Sequence, residues 1–248
     1  MKLIDLSNYI GSQLEVGRFR DYCPNGIQVE GTSEVTKIAT GVSASQAVLE
    51  AATEWGADAI LVHHGYFWKN EEPIITGIKK RRLAYLLKHD VSLLAYHLPL
   101  DAHPVWGNNT QLGNRLGFVE EGRFGEQGIA CYGRLDKPQR LADLNNRIAE
   151  RLHREPLVIG NSESNIAKIA WCSGGAQSYF DLSIALGVDA FVTGEVSEQH
   201  VHIALESGVA FIVAGHHATE RYGIQSLGEH LAAQFGLEHC FFDQDNPV

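Results

Sequence analysis

Residues 37–64 and 168–195 align with one another without a gap, so one unit of local structure is used twice in this chain. The match pairs Lys37-Ile38-Ala39 with Lys168-Ile169-Ala170, Gln46 with Gln177, Gly56 with Gly187, and Asp58-Ala59 with Asp189-Ala190. Each copy reads as strand, turn, helix, strand. In the first, Ile38 to Val42 is an apolar run. Ala44, Ala47, Val48, Ala51, Ala52 and Trp55 then recur at helical spacing, Gly56 stops the helix, and Ala59 to Val62 is the next strand. The second copy closes on Phe191-Val192-Thr193-Gly194-Glu195. This βαβ pattern predicts an α/β fold with parallel sheets flanked by helices.

A weaker echo follows at another offset. Val91 to Tyr96 and then His97-x-x-x-Asp101 resembles Ala210 to Gly215 and then His216-x-x-x-Glu220. The chain therefore reads as two similar α/β domains related by the internal repeat: residues 1–123, with His63, His64, His97 and Asp101, and residues 124–248, with Glu195, His216 and Glu220. The two halves are free to interlock. Leu3, Leu6, Ile10 and Leu14 mark one face of a first helix. The region from about Glu120 to Glu155 bridges the copies and holds a helix with Leu141, Leu144, Ile148 and Leu152 on one face.

At 248 residues and 44% hydrophobic the chain can bury a substantial core. No stretch approaches the roughly 18 apolar residues of a membrane span, and Asp5, Ser7 and Asn8 interrupt the N-terminus where a signal peptide would be apolar. Cys23, Cys131, Cys172 and Cys240 lack C-x-x-C spacing, which argues against a zinc ribbon or a disulfide scaffold and for a reducing cytoplasm. The net charge of −10 disfavours broad attraction to nucleic acid. Lys79-Lys80-Arg81-Arg82 is the one basic run; it reads as a solvated helical face before it reads as a phosphate contact.

The histidines and carboxylates are where chemistry is expected. His63 and His64 end an apolar strand, the position where parallel sheets present ligands. Neighbours on a strand point to opposite sides, so two adjacent imidazoles suit two different ions. His216 and Glu220, four apart on a helix, rise about 6 Å and face the same way. With Asp101 these make five donors, Glu220 being the bridging carboxylate, in the cleft expected between the halves. So few ligands for two ions leave open positions, unlike a closed structural zinc site. Imidazole and carboxylate without thiolate suit Zn, Fe, Mn or Co, and two such ions make hydrolysis the expected reaction class.

His97 is either a sixth ligand or a partner that orients a ligand or shuttles a proton. Glu195 stands where His64 stands in the repeat and is a candidate cleft residue. His103, before Pro104, either reaches substrate or shapes its loop. His217 would point about 100° away from His216 and is left out. The turn Cys172-Ser173-Gly174-Gly175-Ala176 has backbone N–H groups that could cradle an anion, with Cys172 a weak candidate nucleophile. Asn25-Gly26-Ile27-Gln28-Val29-Glu30-Gly31 reads as a turn and an edge strand.

Pro24-Asn25-Gly26-Ile27-Gln28-Val29, Val62-His63-His64-Gly65, His97-Leu98-Pro99-Leu100-Asp101 and Gly215-His216-x-x-x-Glu220 together resemble the GTP cyclohydrolase I type 2 homologues, the NIF3-like dinuclear-metal proteins, in their bacterial YbgI type. The resemblance runs essentially end to end, without the extra domain that longer members insert between the halves. It implies two metal ions held by His63, His64, Asp101, His216 and Glu220, a toroidal homohexamer, and a nucleotide-like small-molecule substrate. GTP cyclohydrolase-type opening of the guanine imidazole with loss of formate, or the handling of damaged nucleotides, is the activity it suggests. The alternative is a non-catalytic metal-binding assembly or regulatory protein. A ring that encloses DNA would need a basic inner face, which the net charge disfavours.

Overall fold

The computed structural model describes Met1–Val248. The chain opens with α1 (Leu3–Gln13), β1 (Gly26–Val29), β2 (Lys37–Ser43), α2 (Gln46–Trp55) and β3 (Ala59–His64), followed by α3 (Gly77–His89), β4 (Ser92–Ala95), α4 (Leu98–Ala102) and α5 (Asn108–Leu116). It continues with β5 (Phe118–Phe124), β6 (Ala130–Arg140), α6 (Leu141–Leu152), β7 (Leu157–Ile159) and β8 (Asn165–Trp171). Last come α7 (Phe180–Ala185), β9 (Ala190–Thr193), α8 (Glu198–Ser207), β10 (Ala210–Val213), α9 (His216–Phe235) and β11 (Glu238–Phe241). No helix is long and apolar enough to cross a membrane, and all four cysteines are free.

Two compact units result, one of Met1–Leu100 with Gly223–Asp245, the other of Asp101–Tyr222 with Asn246–Val248. This differs from a division between residues 123 and 124, and strand pairing is the reason. Such a cut would fall inside β5, which is hydrogen-bonded to β6 from Phe118 to Phe124. At the other end the chain returns to the first unit, where β11 pairs in parallel with β2.

The repeat is visible as topology. The first unit orders its sheet β1-β4-β3-β2-β11, the second β5-β6-β8-β9-β10-β7. In the first, β2, β3 and β4 are parallel and β1 runs antiparallel to β4. In the second, β8, β9 and β10 are parallel and β7 runs antiparallel to β10. The stretch β1-β4-β3-β2 thus has the order and directions of β7-β10-β9-β8, so the repeat extends past the aligned residues to the strand before each copy. The units differ at the other edge, where the second adds the antiparallel pair β5 and β6. The spacing of apolar residues predicts only a bridge there. Glu120, Glu121 and Arg123 fill the edge strand β5 with charge and hide the apolar alternation that marks a strand.

The helices follow their apolar spacing. α6 buries Leu141, Leu144, Ile148 and Leu152, and α1 buries Leu3, Leu6 and Ile10, with Leu14 just beyond; each such side chain contributes about 2 kcal/mol. Ser45 caps α2 by accepting from the Val48 N–H at 3.3 Å. The first core gathers Leu49, Ile60, Val62, Leu86 and Leu93, the second Leu112, Cys131, Ile169, Trp171, Val192 and Ile212. Of the basic run, Lys79 pairs with Glu71 at 3.1 Å and lies over Phe67, and Arg82 lies over Tyr66, so these two serve the loop before their own helix.

The identity of Asp58 and Asp189 across the repeat has a mechanical cause. Asp58 Oδ2 accepts from the Thr36 N–H at 2.7 Å, the Thr36 hydroxyl at 2.8 Å and the Lys37 N–H at 2.9 Å. Asp189 Oδ2 accepts from the N–H groups of Ala167 and Lys168, each at 2.8 Å. Both carboxylates tie the start of one strand to the residues just before its parallel neighbour begins to pair with it. Burial works against the charge of Asp58, but the Thr36 and Lys37 bonds outweigh it and hold the carboxyl below its ordinary 3.8. A depressed folded pKa adds stability that is present above that ordinary value and is lost as pH falls through the lowered one. Asp58→Ala is therefore expected to cost about 1–2 kcal/mol in urea melts at neutral pH, a deficit that narrows below about pH 4. A deficit equally large at pH 3 and pH 7 would contradict this origin.

Candidate metal centre

In the first unit, β3 ends on His63 and His64, and its parallel register places His64 opposite Ser43. His64 Nδ1 lies 3.1 Å from Ser43 Oγ. His63 is fully buried and its Nδ1–H donates to the Tyr96 carbonyl at 3.0 Å, just past the end of β4. A carbonyl can only accept, so the proton sits on Nδ1 and the lone pair on Nε2. His97 obeys the same logic, its Nδ1–H donating to Asp21 Oδ1 at 2.7 Å. Burial would raise the Asp21 carboxyl, but the bonds from His97, Asn25 and Tyr22 bring it below its usual value. The ring centres of His63 lie 4.6 Å from His64 and 5.0 Å from His97. One nitrogen of each of the three lies within 4.8 Å of the others, and Trp68 packs edge-on to His97 at 5.0 Å.

The segment around Asn25 does more than turn and form an edge strand. β1 is indeed the sheet edge, but Asn25 just before it fixes His97 and Gln28 within it fixes the loop after His64. Asn25 Oδ1 accepts from the His97 N–H at 2.8 Å while its Nδ2 donates to Asp21 at 2.9 Å. Gln28 Oε1 accepts from the Tyr66 N–H at 2.7 Å and its Nε2 donates to the Tyr66 carbonyl at 3.0 Å. The loop after His64 is pinned in this way, and Gly65 is required there because a Cβ would strike the Gln28 amide and come within 2.6 Å of Ala95 Cβ.

In the second unit, Asp101 and Glu220 are buried, at 5% and 3% exposure, and their carboxylate oxygens lie within 4.8 Å of each other. His216, in the first turn of α9, places Nε2 3.1 Å from Glu220 Oε2 and Nδ1 2.6 Å from Glu195 Oε1. Burial lowers the affinity of the imidazole for a proton, but Glu220 and Glu195 more than offset this and raise His216 to about 9. Glu195, the repeat counterpart of His64, thus anchors His216 as Asp21 anchors His97.

Two buried asparagines at the start of α5, which the sequence reading passed over, build the frame. Asn108 Nδ2 donates to Asp101 Oδ1 at 2.8 Å. Asn109 donates to the carbonyls of Asp101 and Ile129, at 3.3 and 3.1 Å, and accepts from the Ser173 N–H at 2.8 Å. The signal was an Asn-Asn pair followed by Leu112 and Leu116 at helical spacing, polar residues on what becomes a buried face. Thr219 accepts from the Gly174 N–H at 2.9 Å and so joins α9 to the 172–176 turn. Gly174 has φ +67, and a Cβ on it would run into the Glu220 carboxylate, so only glycine fits.

These bonds correct the expectation of an anion cradle. The N–H groups of Cys172, Ser173 and Gly174 are already given to the Val192 carbonyl, Asn109 and Thr219. Cys172 is packed, and burial, then Asp101, pushes its thiol well above its ordinary value, opposite to what a nucleophile needs. His103 shapes its own loop, accepting from the N–H groups of Val105 and Trp106 and stacking on Trp106 at 4.4 Å. The His217 N–H donates to the Val248 carbonyl. Asn109→Ala removes an amide that serves three buried groups; a loss of about 3 kcal/mol in unfolding free energy is expected by denaturant titration, and a loss under about 1 kcal/mol would contradict the framing role.

The Duf34/NIF3 (NGG1p interacting factor 3) family model matches residues 1–247. A "GTP cyclohydrolase 1 type 2 homolog" of Neisseria meningitidis serogroup B is 53% identical over 244 residues, 98% of each chain. One of the same name from Pseudomonas aeruginosa is 55% identical over 238 residues, 95% of this chain and 94% of that protein. Among solved structures, a protein ybgI described as of unknown function superposes with a TM-score of 0.96 at 47% identity, and TTHA1606 from Thermus thermophilus with 0.90 at 34%, each over 100% of both chains. By family match, by sequence over nearly its whole length and by fold, the chain belongs to the Duf34/NIF3 family.

Proposed function

We propose that the chain is a dinuclear metal-dependent hydrolase in which His63, His64, Asp101, His216 and Glu220 hold two divalent ions and a nucleotide-like molecule is the substrate. One observation carries the reading. All four imidazoles of the two clusters have Nδ1 engaged within their own unit: His63 by the Tyr96 carbonyl, His64 by Ser43, His97 by Asp21 and His216 by Glu195. Each ring is thereby fixed in orientation with Nε2 directed away from its anchor, as metal-binding histidines are held.

The donor set fits such ions. Two buried carboxylates as near as Asp101 and Glu220 repel one another unless positive charge lies with them. Imidazole and carboxylate without thiolate suit Zn, Fe, Mn or Co. When bound, a pair of divalent ions lowers the pKa of a shared water and stabilises negative charge developing on the substrate.

The chain's own residues have the remaining parts. Asp21 keeps the proton of His97 on Nδ1, which leaves Nε2 to accept a proton at the reacting centre and pass it on. Trp68, edge-on to that ring, limits the directions from which water reaches it. Glu195, engaging Nδ1, holds His216 in one orientation with Nε2 directed at the ions. The name borne by the N. meningitidis and P. aeruginosa relatives supports guanine-nucleotide ring opening as the first reaction to try. The ring-shaped homohexamer implied by the resemblance belongs to the same proposal.

The test compares metal-loaded wild type with Glu220→Ala on a panel of nucleoside triphosphates and their oxidised or ring-opened forms, with products read by mass spectrometry. Turnover of one compound by the wild type, reduced about 100-fold or more in the variant, is expected. Wild type that carries both metals and changes nothing on the panel would replace the hydrolase with a metal-binding assembly or regulatory protein.

A further inference from the structure

The second unit carries a cluster that the metal donors do not use. Arg147 and Arg151 stand four apart on α6, where like charges face one another and repel. Arg115 joins them from the last turn of α5. The tips of two of them converge over Gly117: a Cβ there would lie 3.5 Å from Arg151 Nη1 and 3.9 Å from Arg147 Nη1. Aromatic rings back the group, Tyr222 beneath Arg115 at 5.1 Å and Phe118 beneath Arg147 at 5.9 Å.

Helix capping explains part of this. Arg115 Nε donates to the Arg151 carbonyl at 3.0 Å and Arg151 Nη1 donates to the Arg115 carbonyl at 2.6 Å, so each closes the carboxyl end of the other's helix. That uses one N–H of the five on each guanidinium. It leaves Arg147 unexplained. Its Nε and Nη2 are buried and have no hydrogen-bond partner, and the influences on its charge are burial and then Arg151, with no carboxylate among them. In a chain of net charge −10, three neighbouring guanidinium groups are left without an acid.

We propose that Arg115, Arg147 and Arg151 form a binding site for a small phosphate-bearing anion. Guanidinium forks match the oxygens of phosphate in pairs, and the ring faces hold the forks in place. An oxyanion over Gly117 would accept from the Nη1 groups of Arg147 and Arg151 that converge there and neutralise the repulsion within the cluster. The site is distinct from the metal donors: Tyr222 follows Glu220 by two residues on α9, about 200° around the helix, so Arg115 packs on the far side from Glu220. The inference therefore stands apart from the hydrolase reading.

The test is calorimetric titration of the metal-loaded protein with inorganic phosphate, then with a mononucleotide and a single-stranded oligonucleotide. Saturable phosphate binding is expected in wild type. It should be weakened about tenfold or more in Arg147→Gln/Arg151→Gln, and weakened less in Arg147→Lys, which keeps the charge without the fork. Glu220→Ala and Lys37→Gln should bind phosphate as the wild type does, and thermal melts of each variant confirm that it is folded. Absence of saturable binding in wild type would overturn the proposal. So would loss of binding in Glu220→Ala but not in the double arginine variant, which would place the phosphate at the metals. An equal loss in Lys37→Gln would make the attraction one of overall charge, and an oligonucleotide that outcompetes both small anions would replace a small ligand with a polymer.

Discussion

Parallel pairing places the carboxyl ends of neighbouring strands side by side, and the donor clusters depend on that constraint in both units. β3 beside β4 brings the end of one strand, His63 and His64, against the residues that follow the other, Tyr96 and His97. β9 beside β10 does the same for Glu195 and His216. β3, β4, β9 and β10 are apolar and buried but for Ser92 at the start of β4, and His63, His64 and Thr193 come where β3 and β9 end. The Asp58 and Asp189 carboxylates act at the opposite end of the parallel ladders, where β2 meets β3 and β8 meets β9.

The second constraint is the orientation of the rings. An imidazole free to rotate offers either nitrogen, and a site that depends on one must settle the other. Here the settling groups differ in kind: a main-chain carbonyl for His63, a hydroxyl for His64, and carboxylates for His97 and His216. The last two are the corresponding histidines of the weaker repeat, and their anchors come from unrelated places, Asp21 before β1 and Glu195 after β9. The repeat has kept the arrangement while replacing the residue that supplies it.

Much of this was legible in the sequence. The β2-α2-β3 and β8-α7-β9 units followed from the gapless alignment, and the helical face of α6 from its leucine and isoleucine spacing. His63, His64 and His97 were singled out on spacing and fall together in one unit, as do Asp101, Glu195, His216 and Glu220 in the other. The frame was not legible. Asn25, Gln28, Asn108 and Asn109 act through hydrogen bonds to groups remote in sequence, which no periodicity records. The 172–176 turn shows the converse: its glycines suggested an anion cradle, yet the N–H groups of its first three residues are taken by the Val192 carbonyl, Asn109 and Thr219. Strand β5 escaped because an edge strand has no need of an apolar face on both sides.

The central claim is that the two clusters hold a pair of ions through His63, His64, Asp101, His216 and Glu220. X-ray absorption on protein reconstituted with zinc, iron, manganese or cobalt in turn, joined to metal quantification, tests it most directly. The account predicts about two ions per chain, a metal–metal scattering distance of about 3.5–4 Å, and a shell of imidazole nitrogen and carboxylate oxygen without sulfur. A single ion per chain, a sulfur ligand, or a metal signal unchanged by Glu220→Ala would contradict it.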